Sequence, residues 1–481
     1  MKNRVRQQLL EIVDAVLDGA RQCEHLGPDA VPRMVGEIAE ALPLFGDPEI
    51  APRTEAVAIA LGALLDGRGS GADVVARVQE LKAELQAVEV TYTVVFLPYN
   101  ASMWDSLHTI WQAADADPRC EAIVVPIPFA ELTPERTLKE WRLHDKDLPA
   151  EVPVVDHRTF DIAAVHPDVV YVHNPYDGFN TVTSVHPDYY SDRLRPHCGQ
   201  LVYVPYWSTQ APVGEHFDQH PSFEHFDKVI YQSEAFAQRA IKQWSSNKIV
   251  PLGSPKFDYV RTAGGALPPA WSDKIAGRTV ILQLTSINGL LRDRAEMLAK
   301  LDSVLDAVMK HEDLVLWWRP HPLERATIDS MAPDLAPSYD ALVSRAKGMS
   351  RVIVDTSHDL QRAIHHAHAY YGQWSSVMGL FGLTGKPIVN LESHVPTDDA
   401  SGTPMPDDWV PDGWVHPEVR RFARPERLLH EGALTYLRRK VSENGGIVPG
   451  QEEFFAAFTT HADGTAGAHI HGYIMSCAED A

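Results

Sequence analysis

The chain has 481 residues, too many for one ordinary domain and enough for about three. Hydrophobic residues at 44% supply sizeable cores, and charged residues at 22% fit a globular chain. Lys+Arg number 43 against 65 Asp+Glu, a formal net charge of -22, which excludes a non-specific nucleic-acid binder but leaves room for a local anion pocket.

Residues 1–89 read as a helical module. Leu9, Leu10, Val13, Val16 and Leu17 recur at helical spacing, as do Val35, Ile38, Ala39 and Leu42. Met1 to Arg6 is charged where a secretory leader would need an apolar core. No stretch approaches the roughly 20 apolar residues of a membrane span, so a cytoplasmic protein is expected. The four cysteines, Cys23, Cys120, Cys198 and Cys477, are far apart, which fits a reducing compartment and no thiolate zinc site.

From residue 90 the pattern changes to short apolar runs separated by helical stretches. Thr93-Val-Val-Phe-Leu97, Ala122-Ile-Val-Val-Pro-Ile127, Val169-Val-Tyr-Val172, Leu201-Val-Tyr-Val204 and Lys228-Val-Ile-Tyr231 predict a parallel sheet covered on both faces. A second series holds Thr279–Leu284, Leu314–Trp318, Arg351–Val354, Ala369–Tyr371 and Pro387–Leu391, with helices over Arg294–Lys310, Leu360–His368 and Val377–Leu383. The expected fold class is therefore α/β, with two Rossmann-like doubly wound domains at 90–255 and 256–425. Thr262–Ala270 reads as a linker, and a helical segment covers 426–481 with helices at Glu426–Val441 and Glu452–Thr460. Two such domains in tandem turn the carboxyl ends of their strands towards one cleft.

The loops after those strands carry the chemistry. Pro98-Tyr-Asn-Ala-Ser-Met-Trp-Asp-Ser106 follows the first strand, His173-Asn-Pro-Tyr-Asp-Gly-Phe-Asn180 the third, and Pro205-Tyr-Trp-Ser-Thr209 the fourth. Asp105, His173, Asn174 and Asp177 are the candidates there, against a plain turn-forming role for Asn, Asp and Gly. His216 and His220 lie nearby in sequence. In the second domain Trp317-Trp-Arg-Pro-His-Pro322 ends a strand, and Arg319 with His321 forms a proline-flanked anion edge. The competing reading pairs Arg319 with Glu324 and ties His321 to backbone. Ser375 and Ser376 open a helix, as a simple N-cap or as a phosphate contact. Lys386 adds one more cation or a surface turn. His365, His366 and His368, like His469 and His471, lack the partners of a metal site, so no metal is expected. The nicotinamide, P-loop and serine-hydrolase signatures are absent.

In order, Leu252-Gly-Ser-Pro-Lys-Phe-Asp258, Arg319-Pro-His-Pro322, Trp374-Ser-Ser-Val377 and Gly385-Lys-Pro-Ile388 resemble motifs of the CDP-glycerol glycerophosphotransferase family of teichoic-acid polymerases and primases. The likeness runs from about Val90 to Asp463-Gly-Thr-Ala-Gly467. It implies a GT-B fold and transfer of glycerol phosphate from CDP-glycerol to a polyol-phosphate or glycan acceptor, without metal or other cofactor. By resemblance the donor diphosphate lies near Arg319, His321, Ser375 and Ser376, with Lys386 as a further cation, and Gly253, Ser254, Lys256, Thr285, Ser286, Asn174 and Asp177 are expected donor or cleft contacts. His321, Asp105 and His173 form the expected catalytic set, with Asp105, His173 and Asp177 the candidates for the general base by their placement after the strands, and the protein is expected in the cytoplasm or at the inner face of the cell membrane. The family's first-domain Gly-Thr-Pro-Leu-Lys segment has Val202-Tyr-Val-Pro-Tyr-Trp-Ser-Thr209 in its place. Two alternatives therefore stay open: another GT-B glycosyltransferase or nucleotide-sugar epimerase, and a non-catalytic module that kept the fold.

Overall fold

A computed structural model describes residues 1–23, 30–48, 50–209, 220–261, 265–391 and 430–480. The chain divides into two compact units. One is Met1–Val94 with 115–121 and 166–168, and the other comprises the remaining residues.

The first unit is built on four helices, α1 (Asn3–Cys23), α2 (Val31–Ala41), α3 (Ala51–Leu65) and α4 (Gly71–Ala87). Val13, Val16, Leu17 and Ala20 of α1 meet Val74, Val78, Leu81 and Leu85 of α4 in one buried cluster. The three-and-four spacing of these residues puts them on a single face of each helix. Leu10 and Leu42 are only partly buried, because the stripe is narrower than the apolar run that suggested it. A reciprocal Ser70–Asp73 capping box starts α4 after the glycine-rich loop.

The second unit carries two parallel sheets. The first contains β1 (Tyr92–Leu97), β2 (Cys120–Val124), β5 (Val169–Val172), β7 (Gln200–Tyr203), β8 (Lys228–Ile230) and β9 (Ile249–Val250), in the order β2-β1-β5-β7-β8-β9. A three-stranded antiparallel sheet of β3 (Phe129–Leu132), β4 (Leu138–Arg142) and β6 (Thr183–Val185) lies in the same half and was not expected. Its strands are short, and β4 is largely exposed, so it gives no continuous apolar run.

The second parallel sheet is β10 (Thr279–Leu284), β11 (Leu314–Arg319), β12 (Val352–Val354), β13 (Ala369–Gly372) and β14 (Ile388–Asn390), ordered β12-β11-β10-β13-β14. Its strands are buried on both faces, as continuous Val, Ile, Leu and Trp runs require. In the first sheet the chain reverses direction across the sheet between β1 and β5, and in the second between β10 and β13. These are the switch points where open α/β sheets bind ligands.

Several helices depart from expectation at their ends. The one predicted from Arg294 begins at Ile287, with Arg294 at φ 52° as a kink inside it. Leu360–His368 stops at His366, and Val377–Leu383 runs Ser376–Gly382. The region predicted as helix over 426–441 is described from His430 to Ser442, residues 426–429 lying outside the described residues. Residues 262–264 of the expected linker also lie outside them. A closing helix, Ala466–Glu479, was missed because its Gly467 and Gly472 dilute the helical signal.

Candidate active site

The loops after β1 and β5 in the first sheet and the loop after β11 in the second converge on one lysine. Lys256 follows Gly253-Ser-Pro and is 5% exposed, and its ammonium is paired with the Asp105 carboxylate from the loop after β1. Its charge also bears on His173 from the first sheet and on His321 from the second, lowering both imidazole pKa values. A buried pair of this kind contributes little net stability, but removing one partner strands a charge at a cost of about 3–5 kcal/mol. The second oxygen of Asp105, Oδ1, is buried without a hydrogen-bond partner among the described residues.

His321 is pinned on one side and open on the other. Its Nδ1 accepts from the Leu323 N–H at 3.1 Å, and its backbone N–H donates to the Glu324 carboxylate at 2.9 Å. Burial, and then the Lys256 charge, push the imidazole down to about 4. The ring is therefore neutral near pH 7, and with Nδ1 accepting, its proton sits on Nε2. Nε2 has no hydrogen-bond partner among the described residues, so the ring offers one N–H donor.

Glu324 does not pair with Arg319. It is fully buried, and it accepts from the Thr285 hydroxyl as well as from His321. Burial raises its carboxyl to about 7. Thr285 is thereby committed to holding the His321 loop rather than to a donor. Ser286 starts the helix after β10: its hydroxyl accepts from Gly289, and its N–H donates to the Gln373 side chain at 2.8 Å. Gln373, 2% exposed, thus ties together the two loops of the second switch point. A Cβ on Gly289 would approach the Gln373 amide to 2.3 Å, so any larger residue there would displace that amide from Ser286.

Several of the residues singled out from the sequence are engaged in structural contacts. His173 is fully buried and used on both nitrogens: Nε2 accepts from the Tyr99 N–H at 3.1 Å, and Nδ1 faces Met103 O and Ser106 Oγ. Burial drives it to about 3. It staples two loops and has no nitrogen left to act as a base. Asp177, at φ 47°, accepts from both the N–H and the hydroxyl of Ser191, a local cap. Arg319 is opposite Leu284 in the β10–β11 register, and Asp355 follows β12 beside it. The guanidinium pairs with Asp355 and donates to Ser357 O and Asp359 O, so it braces a loop instead of forming an open anion edge. Lys386 donates to the carbonyls of Ile364, His365 and Ala367, capping the end of the Leu360–His366 helix. Burial lowers its pKa to about 8.

The remaining candidates are placed as follows. Ser375 is the N-cap of a seven-residue helix, its hydroxyl 3.4 Å from that of Tyr370, and Ser376 is the helix's first residue. Neither hydroxyl caps the helix. Asn174 accepts from the Tyr176 N–H, leaving its buried Nδ2 without a partner among the described residues. Ser254 is buried with its Oγ likewise unmatched. His220 caps a short turn through Ser222, and His216 lies outside the described residues.

Gly253 has φ 98°, and a Cβ there would lie 2.2 Å from the carbonyl of Thr460. Asp258, the last residue of the same motif, accepts from Thr109 Oγ1 and from the N–H groups of Ala466 and Gly467. Asp258 and the Asp463–Gly467 segment thus belong to the framework around Lys256. Sequence reasoning missed this role, and the signal was the short Gly-x-x-x-x-Asp spacing itself.

Past the end of β12 opens a cavity of about 500 Å³ lined by Trp271, Asp355, Ser357, His358, Arg362 and Asp147. That volume lies within the range of small-ligand sites.

No family model and no curated protein matches the sequence. Among solved structures, a Listeria monocytogenes protein described as a UDP-N-acetylglucosamine 2-epimerase is similar at 14% identity and TM-score 0.52, covering 82% of this chain and 98% of its own. A variant of the wall teichoic acid polymerase TagF is similar at 12% identity and TM-score 0.50, covering 89% of this chain and 98% of its own. The fold is GT-B. Among the described residues no helix is long and apolar enough to cross a membrane.

Proposed function

We propose that this GT-B protein is a transferase that moves a glycerol-phosphate or related polyol-phosphate group from CDP-glycerol to an acceptor hydroxyl, in synthesis of a teichoic-acid-like cell-surface polymer. The observation that carries this reading is a buried ammonium, Lys256, beside a neutral imidazole whose one unused atom is an Nε2–H donor. Together they make an anion-binding centre in a protein of net charge -22. The order of the sequence motifs supports the substrate class, and the TagF likeness is consistent with it.

The donor's nucleoside occupies the 500 Å³ cavity, with Trp271 beside the base, and the diphosphate reaches Lys256 and His321. Its charge displaces Asp105 from Lys256 and frees the carboxylate. The acceptor oxygen bonds to the glycerol-bearing phosphorus while that phosphorus releases its bridging oxygen. CMP leaves with the electron pair, and the acceptor proton passes to Asp105. His321 Nε2–H and Lys256 stabilise charge on the phosphoryl oxygens, with Ser375 and Ser376 at the edge of the switch point. A nucleotide-activated donor places the reaction in the cytoplasm, with the growing polymer met at the inner membrane face.

Calorimetric titration with CDP-glycerol, CMP and UDP-sugars, paired with CMP release in the presence of a polyol-phosphate acceptor, tests this reading. The wild type should bind cytidine nucleotides, and His321→Ala should lower turnover by roughly 100- to 1000-fold. Absence of cytidine-nucleotide binding overturns the proposal. Turnover of UDP-N-acetylglucosamine in its place would assign a nucleotide-sugar epimerase.

A further inference from the structure

We infer that His144, Asp147 and His358 bind one divalent transition-metal ion, zinc by ligand type, joining a loop of the first α/β half to a loop of the second at the rim of the large cavity. His144 and Asp147 lie on the loop after β4, and His358 on the loop after β12. Each offers a ligand atom, all within 4.8 Å of one another. Nε2 of His358 is 3.8 Å from the Asp147 carboxylate, and the two imidazole centroids are 5.1 Å apart.

The second observation is an orphaned atom. His144 Nδ1 is buried with no hydrogen-bond partner among the described residues, although a polar atom withdrawn from water normally finds one. Phe129 packs edge-on against the His144 ring at 4.9 Å and holds it towards His358. The nearby cations are already neutralised, Arg142 by Glu131 and Arg319 by Asp355.

Two imidazoles and one carboxylate form the donor set of a zinc site with an open fourth position. Asp147 and His358 also line the cavity, so that position faces it and takes a water or ligand oxygen. Metal–nitrogen bonds of about 2.0–2.1 Å place tetrahedral ligand atoms about 3.3 Å apart. Binding therefore draws the two loops together by about an ångström and latches the halves at this edge. The site does not depend on the identity of the nucleotide donor.

The full-length chain, stripped with EDTA, is titrated with Co²⁺ by absorption and with Zn²⁺ by chelator competition. One ion per chain is expected, with tetrahedral Co²⁺ bands. His144→Ala and His358→Ala should each weaken binding by roughly 100-fold or more, beyond the loss usual for an outer-shell partner. The double variant His365→Ala/His366→Ala should bind as the wild type does. Unfolding midpoints without metal, equal to that of the wild type, would show that the variants fold. No saturable binding by the wild type, or unchanged affinity in both His144→Ala and His358→Ala, overturns the site.

Discussion

His173 and His321 occupy comparable places in the two α/β halves, each after a strand and each within the field of Lys256, yet they are spent differently. Both nitrogens of His173 are taken up by the loops it joins. His321 gives Nδ1 to its own turn and keeps Nε2. Both are neutral for the same reason, burial reinforced by a nearby ammonium. The depressed pKa therefore does not separate a structural histidine from a chemical one, whereas the unused hydrogen-bonding capacity does.

The comparison can be broken most directly by truncating each ring. His173→Ala leaves the Tyr99 N–H buried without an acceptor and opens a cavity, so unfolding in urea should show a loss of about 3–4 kcal/mol. His321→Ala should cost about 1 kcal/mol in the same measurement, its effect falling on turnover instead. Equal stability losses would mean that the two rings share one role.

Glu324, which holds the His321 turn, sharpens the contrast through pH. Its carboxyl titrates at about 7 in the folded chain against an ordinary 4.5. Between those values the native state holds a proton that the unfolded chain has lost, so wild-type stability falls as pH rises. Glu324→Gln removes this titration while keeping an acceptor for Thr285 and His321. Relative to wild type, the variant should gain about 3 kcal/mol between pH 4.5 and 7, read from urea midpoints across that range. A constant difference would place the carboxyl outside this titration. The smallest effect is expected at Lys386, where Lys386→Met removes a helix C-cap and should cost about 1 kcal/mol of stability without altering nucleotide affinity.

The parallel sheets were legible in the sequence because strands buried on both faces leave continuous apolar runs such as Leu314–Trp318. The antiparallel strands at Phe129, Leu138 and Thr183 were not, since strands of three to five residues are too short to show a pattern and the one at Leu138 is exposed. At the site, the strand-end position drew attention to His321 and Asp105. What the sequence could not convey was who holds whom. Arg319 meets Asp355 only through the register of β11 and β12, and Lys386 meets the end of another helix. The centre itself depends on Lys256 and Asp105, 151 residues apart in the chain. His144 and His358 are more distant still, so no local spacing announces them.

The Asp258 clasp gives the chain a second crossing between its halves. One crossing runs forward near Gly253, and the other returns near Thr460, whose N–H donates to Gln232 O on the first half. A single crossing would act as a swivel, free to turn about any axis. Two crossings fastened side by side act as the pins of a door and leave one axis of rotation. Lys256 lies three residues from the first of these crossings.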